Sequence, residues 1–178
     1  MLEAKPYPSY KASGIASIGE VPSHWQVYRL RNLCKLLISN VDKNSADHEI
    51  PVRLCNYVDV YKNDRITSRL DFMKATAAAD EIERFRPKIG DVIITKDSED
   101  WQDIGVPALV AYEAPDLVCG YHLALLRPRL GTIQAAYLFR AIQSQAVAYQ
   151  FQVLANGVTR YGLSQGAIKG VSIPLPPL

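Results

Sequence analysis

An α+β fold, a mixed and twisted β-sheet with a few packed helices, is what the order of elements in this chain predicts. Three observations carry that expectation. Short apolar runs bounded by turn residues recur along the chain, as buried or half-buried strands require. One long stretch beyond Gly131 instead carries apolar residues at helical spacing. No internal repeat or low-complexity tract interrupts either pattern. The 178 residues, 48% hydrophobic and 21% charged, suit one globular unit whose core needs no disulfide or metal.

Residues 1–24 hold Pro6, Pro8 and Pro22 with Gly14 and Gly19, and predict an extended arm across a surface. Trp25 to Leu30 alternates and reads as the first strand. Leu33 to Ile38 is a short helix or a second strand, and Asn40 to Glu49 a polar loop. Val52 to Val60 predicts a strand ending in the turn Lys62-Asn63-Asp64-Arg65. Thr76 to Arg84, rich in alanine and glutamate, predicts a helix stopped before Pro87. Lys88 to Asp91 turns into a buried strand, Val92 to Thr95. Val106 to Tyr112 and Tyr121 to Arg127 are two more, joined by a loop at Pro115 and Asp116.

Beyond Gly131, Thr132 is a candidate N-cap for a helix. Ala135, Leu138, Phe139, Ile142, Ala146 and Tyr149 form its continuous apolar face. Asn156-Gly157 marks a tight turn, Tyr161 to Gln165 a loop, and Val171 to Pro174 the final strand.

Charge and cysteines narrow the class. Cys34, Cys55 and Cys119 are odd in number and lack C-x-x-C spacing, so buried thiols in a reducing compartment are expected. With no leader and no apolar run of roughly 18 residues, a cytoplasmic protein is expected. Net charge is only +2, but no acidic residue follows Asp116, while Arg127, Arg129, Arg140, Arg160 and Lys169 do. A basic C-terminal third suits a polyanionic partner.

Signals for catalysis are missing. Neither phosphate-cradling glycine pattern occurs, and the closing Leu-Pro-Pro-Leu lacks the amide and aromatic of an adenine methyltransferase motif. His24, His48 and His122 have no partner at metal-ligand spacing. His122 reads as a hydrogen-bonded structural histidine. Asp97 to Asp103 is the one dense acidic run. As a calcium loop it has Gln102 where glycine makes the turn and Ala108 where a glutamate belongs. No catalytic residue, cofactor or metal is therefore expected.

Several blocks taken together resemble one family. They begin with Tyr7-Pro8-Ser9-Tyr10-Lys11-Ala12-Ser13-Gly14 and Ile18-Gly19-Glu20-Val21-Pro22-Ser23-His24-Trp25. Arg53 through Tyr61, Gly90 through Ser98 and Val118 through Leu123 follow, then Gly157-Val158-Thr159-Arg160 and Ile173 through Leu178. In order and spacing these resemble the N-terminal half of specificity subunits of type I restriction-modification enzymes. The resemblance implies a fold of the target-recognition-domain type and no catalysis. It implies recognition of double-stranded DNA at one half of a bipartite site, with methylation and restriction subunits as partners. The expected organisation is an arm over 1–24 and a single target-recognition domain over 25–178. On that resemblance the second domain and spacer helices are expected to be absent, as in an excised first domain or a natural half-subunit. A docking module of the same complex and a small metal-dependent nuclease built on Asp97 are the alternatives.

DNA reading needs cations on phosphates and amide, guanidinium or hydroxyl groups on base edges. Asn156, Thr159, Arg160, Tyr161, Ser164 and Gln165, set among glycines 157, 162 and 166, offer both. Arginine can read guanine, and glutamine or asparagine adenine. An Asn-Gly turn with a plain surface loop fits the same residues. Lys96 and Ser98, near Asp97 and Trp101, form a second candidate surface. The turn with Lys62, Asn63 and Arg65 is a third, and reads equally as a solvated turn.

Overall fold

The computed structural model describes residues 6–177, so residues 1–5 of the expected arm and the closing Leu178 lie outside the described residues. Within the remainder of that arm, β1 (Tyr10–Ala12) and β2 (Glu20–Pro22) pair antiparallel as a hairpin. Ser17 Oγ ties it to the body by donating to the Ala146 carbonyl at 2.8 Å. Next come β3 (Gln26–Arg29), α1 (Leu30–Leu33) and β4 (Cys34–Ile38), so of the helix and strand weighed for Leu33 to Ile38 the strand occurs, and the helix lies just before it.

Two expectations fail in the following stretch. The strand foreseen through Val60 ends early: β5 covers Ile50–Cys55 and a helix, α2, covers Tyr57–Tyr61. The Asp59 carboxylate accepts from the Asn56 N–H at 2.7 Å, half of a capping box, and starts the helix despite its β-favouring composition. After β6 (Arg65–Ile66), the alanine-rich stretch foreseen as helix begins as β7 (Met73–Ala77). Ala75 and Ala77 are buried opposite Val52 and Ile50, so ladder pairing overrides their helix propensity. Only then does α3 (Ala79–Phe85) start, with Glu81 accepting from the Ala78 N–H.

The chain continues through β8 (Val92–Thr95), the two-residue β9 (Asp97–Ser98), a 3-10 turn at Trp101–Asp103, and β10 (Pro107–Val110). The loop foreseen around Pro115 and Asp116 is followed by a strand of its own, β11 (Leu117–Cys119), before β12 (Leu123–Pro128). Arg53 donates to both Asp116 oxygens, at 2.8 and 2.7 Å, and holds that carboxyl below its ordinary range.

The long C-terminal helix is two helices, α4 (Ala135–Gln143) and α5 (Gln145–Leu154), separated by Ser144 in extended backbone. A continuous helix would carry the Leu138–Ile142 face on to Ala146 and Tyr149. The break advances it to Val147 and Phe151, both fully buried, and leaves Tyr149 49% exposed. Phe151 packs so closely on Gly105 that a Cβ there would lie 2.7 Å from its Cγ. Thr132 is not the cap: Gln134 holds that position, and the Thr132 hydroxyl donates to the Leu33 and Arg129 carbonyls. β13 (Tyr161–Gly162), α6 (Gln165–Gly170) and β14 (Ser172–Leu175) complete the chain, where a loop through Gln165 was foreseen.

These elements form layers. The central sheet has the order β4-β12-β8-β10-β6, antiparallel except at β10–β6. A three-stranded sheet, β11-β5-β7, combines one parallel and one antiparallel pair, so mixed sheets are confirmed. Ile94, Ala124 and Leu126 face Leu138, Ile142 and Phe151 of the helical layer. Ile93, Leu123 and Leu125 point the other way, with Leu54, Val118 and Phe85. Burial on both faces explains why β8 and β12 read as unbroken apolar runs rather than alternating ones. All three cysteines are free and buried. Burial pushes the Cys34 thiol up to about 12 and the other two also upward. Among the described residues, no helix is long and apolar enough to cross a membrane.

Candidate nucleic-acid interface

Two of the three candidate surfaces meet. β13 pairs antiparallel with β9, setting Tyr161 opposite Ser98 and Gly162 opposite Asp97. The Leu163 N–H donates to the Lys96 carbonyl at 3.0 Å, extending the contact. Asn156 and Gly162 exchange both backbone hydrogen bonds, at 3.0 and 2.8 Å, and so close the loop between them. A loop that carries Arg160 is thereby pinned to the C-terminal end of a central strand.

Beside this ladder lies a cleft of about 520 Å³. Tyr57 and Tyr61 line one side, Asp97 and Ser98 the floor, with Glu99, Asp100, Asp103, His122 and Arg160 around them. Asp97 is an organiser: its carboxylate takes Lys96 Nζ at 2.6 Å and lies 3.2 Å from His122 Nδ1. Ser98 is 6% exposed, with its hydroxyl 3.2 Å from the Tyr57 hydroxyl and accepting from the Asp100 N–H. Tyr57 and Tyr61, one helical turn apart, stack with centroids 5.5 Å apart. The Asp103 carboxylate raises the Tyr61 phenol. Burial, together with Arg160 and Lys96, lowers His122 below its ordinary value, against the opposing pull of Asp97.

The remaining sequence candidates divide. Thr159 and Arg160 are exposed in the pinned loop. Asn156 donates its amide to the Leu154 carbonyl. Ser164 is the N-cap of α6, accepting from the Ala167 N–H, and Gln165 accepts from Lys169. Tyr161 packs partly against the core. Lys62 is the C-cap of α2, directly after Tyr61, and Asn63 donates to the Asp59 carbonyl. Arg65 lies on the edge strand of the central sheet, and Asp64 beside it accepts from Gln143. Trp101, 41% exposed, sits in the turn after β9.

The expected basic third does not form one face. Arg127 is engaged with Asp91, and Arg140 donates to Gln143 near Asp64. Of those cations, Arg160 lines the cleft. Asp97, on which a nuclease would rest, already holds Lys96 and His122. Among the described residues no three His, Cys, Asp or Glu side chains converge on a metal position. Sequence reasoning passed over Tyr57, Tyr61 and His122 as site residues. The aromatic pair was within reach: reading Asn56-x-x-Asp59 as a helix start puts Tyr57 and Tyr61 on one helix face.

Gly157 sets the loop. Its φ is +147°, and a Cβ would lie 1.9 Å from the Arg160 carbonyl oxygen. Gly157→Ala should therefore rebuild the loop and, where that loop reads duplex DNA, abolish preference for one duplex over another. Because the loop is exposed, the urea midpoint should move little, within roughly 1 kcal/mol of stability. Duplex competition and urea unfolding on the same variant check both halves.

No protein-family model matches the chain. Over 162 residues, 90% of its length, the chain is 24% identical to a protein of Methanocaldococcus jannaschii named as the MjaX type I restriction enzyme specificity subunit. Among solved structures, a chain from work on assembly and conformational transition of the type I R-M system matches with a TM-score of 0.63 at 17% identity. That match covers 99% of this chain. The HsdS subunit from Thermoanaerobacter tengcongensis matches with a TM-score of 0.59 at 17% identity, over 94% of this chain. The fold is the one seen in these structures. The chain spans 38%, 38% and 36% of the three relatives, little more than a third of each.

Proposed function

We propose that this chain, similar in sequence and fold to one part of type I specificity subunits, is a non-catalytic module that reads double-stranded DNA. It recognises one half of a bipartite site and directs the methylation and restriction subunits of a restriction-modification complex there. The β9–β13 ladder carries this reading: it fixes Arg160, an exposed guanidinium, beside a polar cleft on a rigid sheet end. Sequence discrimination needs such a donor held in register, because a floppy cation finds phosphate as readily as a base. Arg160 and Thr159 face the groove. Ser98 braces the cleft from below and Tyr57 from the side, and Lys96 stays with Asp97.

A docking role is favoured by one separate feature. An apolar cleft of about 460 Å³ lies between His24, Gln26, Tyr28 and Leu33 and the departing Leu175-Pro176-Pro177. It is on offer to a partner subunit. Fluorescence anisotropy with labelled double- and single-stranded DNA separates the two readings. DNA reading predicts preference for duplex and affinity that falls steeply as salt rises. A salt-insensitive complex with a methylation subunit, with no duplex binding at low salt, would leave docking as the function.

A further inference from the structure

We infer that His122 is the seat of the reading arginine: its neutral imidazole face holds Arg160 in register, and protonation of the ring releases it. The inference rests on Arg160 as a DNA contact and adds a positioning residue and a pH dependence to it.

The geometry points to the ring face. Arg160 Nη2 lies 3.2 Å from His122 Nδ1 and 3.1 Å from Nε2. A donor bound to one imidazole nitrogen in the ring plane cannot be equally close to the other, since the two lone-pair directions diverge. Equal distances place the guanidinium over the π face, a cation–π contact.

The ring is in turn held from its edge. Nδ1 is 3.2 Å from the Asp97 carboxylate, which Lys96 neutralises from 2.6 Å. The His122 carbonyl accepts from the Lys96 N–H at 2.9 Å, so ring and carboxylate share one piece of backbone. With Nδ1–H donated to Asp97, the tautomer and ring plane are set, as a carboxylate does for a metal-binding histidine. The Tyr121 ring, with its centroid 3.6 Å from that of His122, closes a further side.

The charges around the ring decide what a proton would do. Arg160 on its loop, Lys96 and Asp97 of the floor strand, and Tyr57, Glu99, Asp100 and Asp103 of the cleft wall share its surroundings. Neutral imidazole attracts the guanidinium through its π electrons, whereas imidazolium puts two cations face to face. Burial and the flanking cations hold the ring neutral at pH 7. As pH falls through the lowered value the ring charges, strengthens its bond to Asp97, and repels Arg160. The new charge also attracts phosphate indiscriminately. Total binding is therefore the wrong readout, and the ratio between preferred and scrambled duplex is the right one.

Two measurements on the whole chain test this. The ratio is compared above and below the His122 titration midpoint, read by NMR on the same chain, for wild type, His122→Phe and His122→Ala. Wild type should lose roughly 3- to 30-fold of its discrimination on acidification, the span of a cation–π contact. His122→Phe, which keeps a π face but no titration, should give a flat profile. His122→Ala should be low at both. A flat wild-type profile, or an equal loss in His122→Phe, would overturn the inference. Independently of DNA, NMR titration of His122 should show its midpoint rising in Arg160→Ala, a substitution in an exposed loop. An unchanged midpoint would remove the seat. A raised midpoint with duplex discrimination intact in Arg160→Ala would keep the contact but defeat the DNA reading beneath it.

Discussion

Arg127→Met is expected to cost the fold about 3 kcal/mol, a large part of the roughly 5–15 kcal/mol that holds a domain together. Asp91, at the entry to β8, has a side chain only 2% exposed. Arg127 of β12 donates to it through Nε at 2.9 Å and Nη2 at 2.7 Å, and also donates to the Arg86 carbonyl. Without the guanidinium, the buried carboxylate keeps the Lys88 N–H at 2.8 Å as its remaining hydrogen bond. A buried ion pair adds little over an apolar pair, but a buried charge stripped of its partner is costly. Arg127 is itself 25% exposed, which sets the expectation at the low end of that cost. Urea unfolding should show a lower midpoint at unchanged slope. Adding Asp91→Asn to Arg127→Met should recover part of the loss, because a neutral amide needs no counter-ion. Simple additivity of the two losses would contradict this account of the pair.

Arg160→Ala should leave that midpoint in place and weaken the preferred duplex by about 1–3 kcal/mol, with preference relaxed at one base position. Arg160 is exposed on its loop and anchors no strand, so stability should stay within roughly 0.5 kcal/mol. Its side chain stands over His122 at the lip of the cleft, where a planar fork can meet a guanine edge. Competition binding against duplexes varied one position at a time measures the effect. A uniform loss across all sequences would make Arg160 a phosphate contact instead. No loss at all would take the pinned loop out of the interface.

Both arginines lie in the basic third, yet the sequence could not separate them. Arg127 pairs with an aspartate 36 residues earlier, across two strands of the central sheet. Arg160 meets a histidine 38 residues away. Neither pairing leaves a local pattern. The same limit hid β9 and β13, two-residue strands too short for any periodicity, whose pairing unites the two candidate surfaces. By contrast, β8 and β12 were legible because burial on both faces makes continuous apolar runs, and the Gly90-Asp91 turn announces the first of them. Where local signals conflicted, composition misled. Val58 and Val60 read as strand although Asn56 and Asp59 start a helix, and Thr76 and Ala77 read as helix although their ladder partners made them strand. The break at Ser144 lacks proline or glycine. Its cause is tertiary, the seating of Val147 and Phe151 in the core.

Reading of DNA sequence through the cleft beside the β9–β13 ladder is the proposal on which the Arg160 and His122 roles depend. The most direct test is selection of bound duplexes from a random library with the purified chain, at low and then higher salt. Enrichment of one short motif, affinity that falls steeply with salt, and loss of the motif in Arg160→Ala are expected. Recovery of no motif, or a motif unchanged in Arg160→Ala, would contradict the proposal.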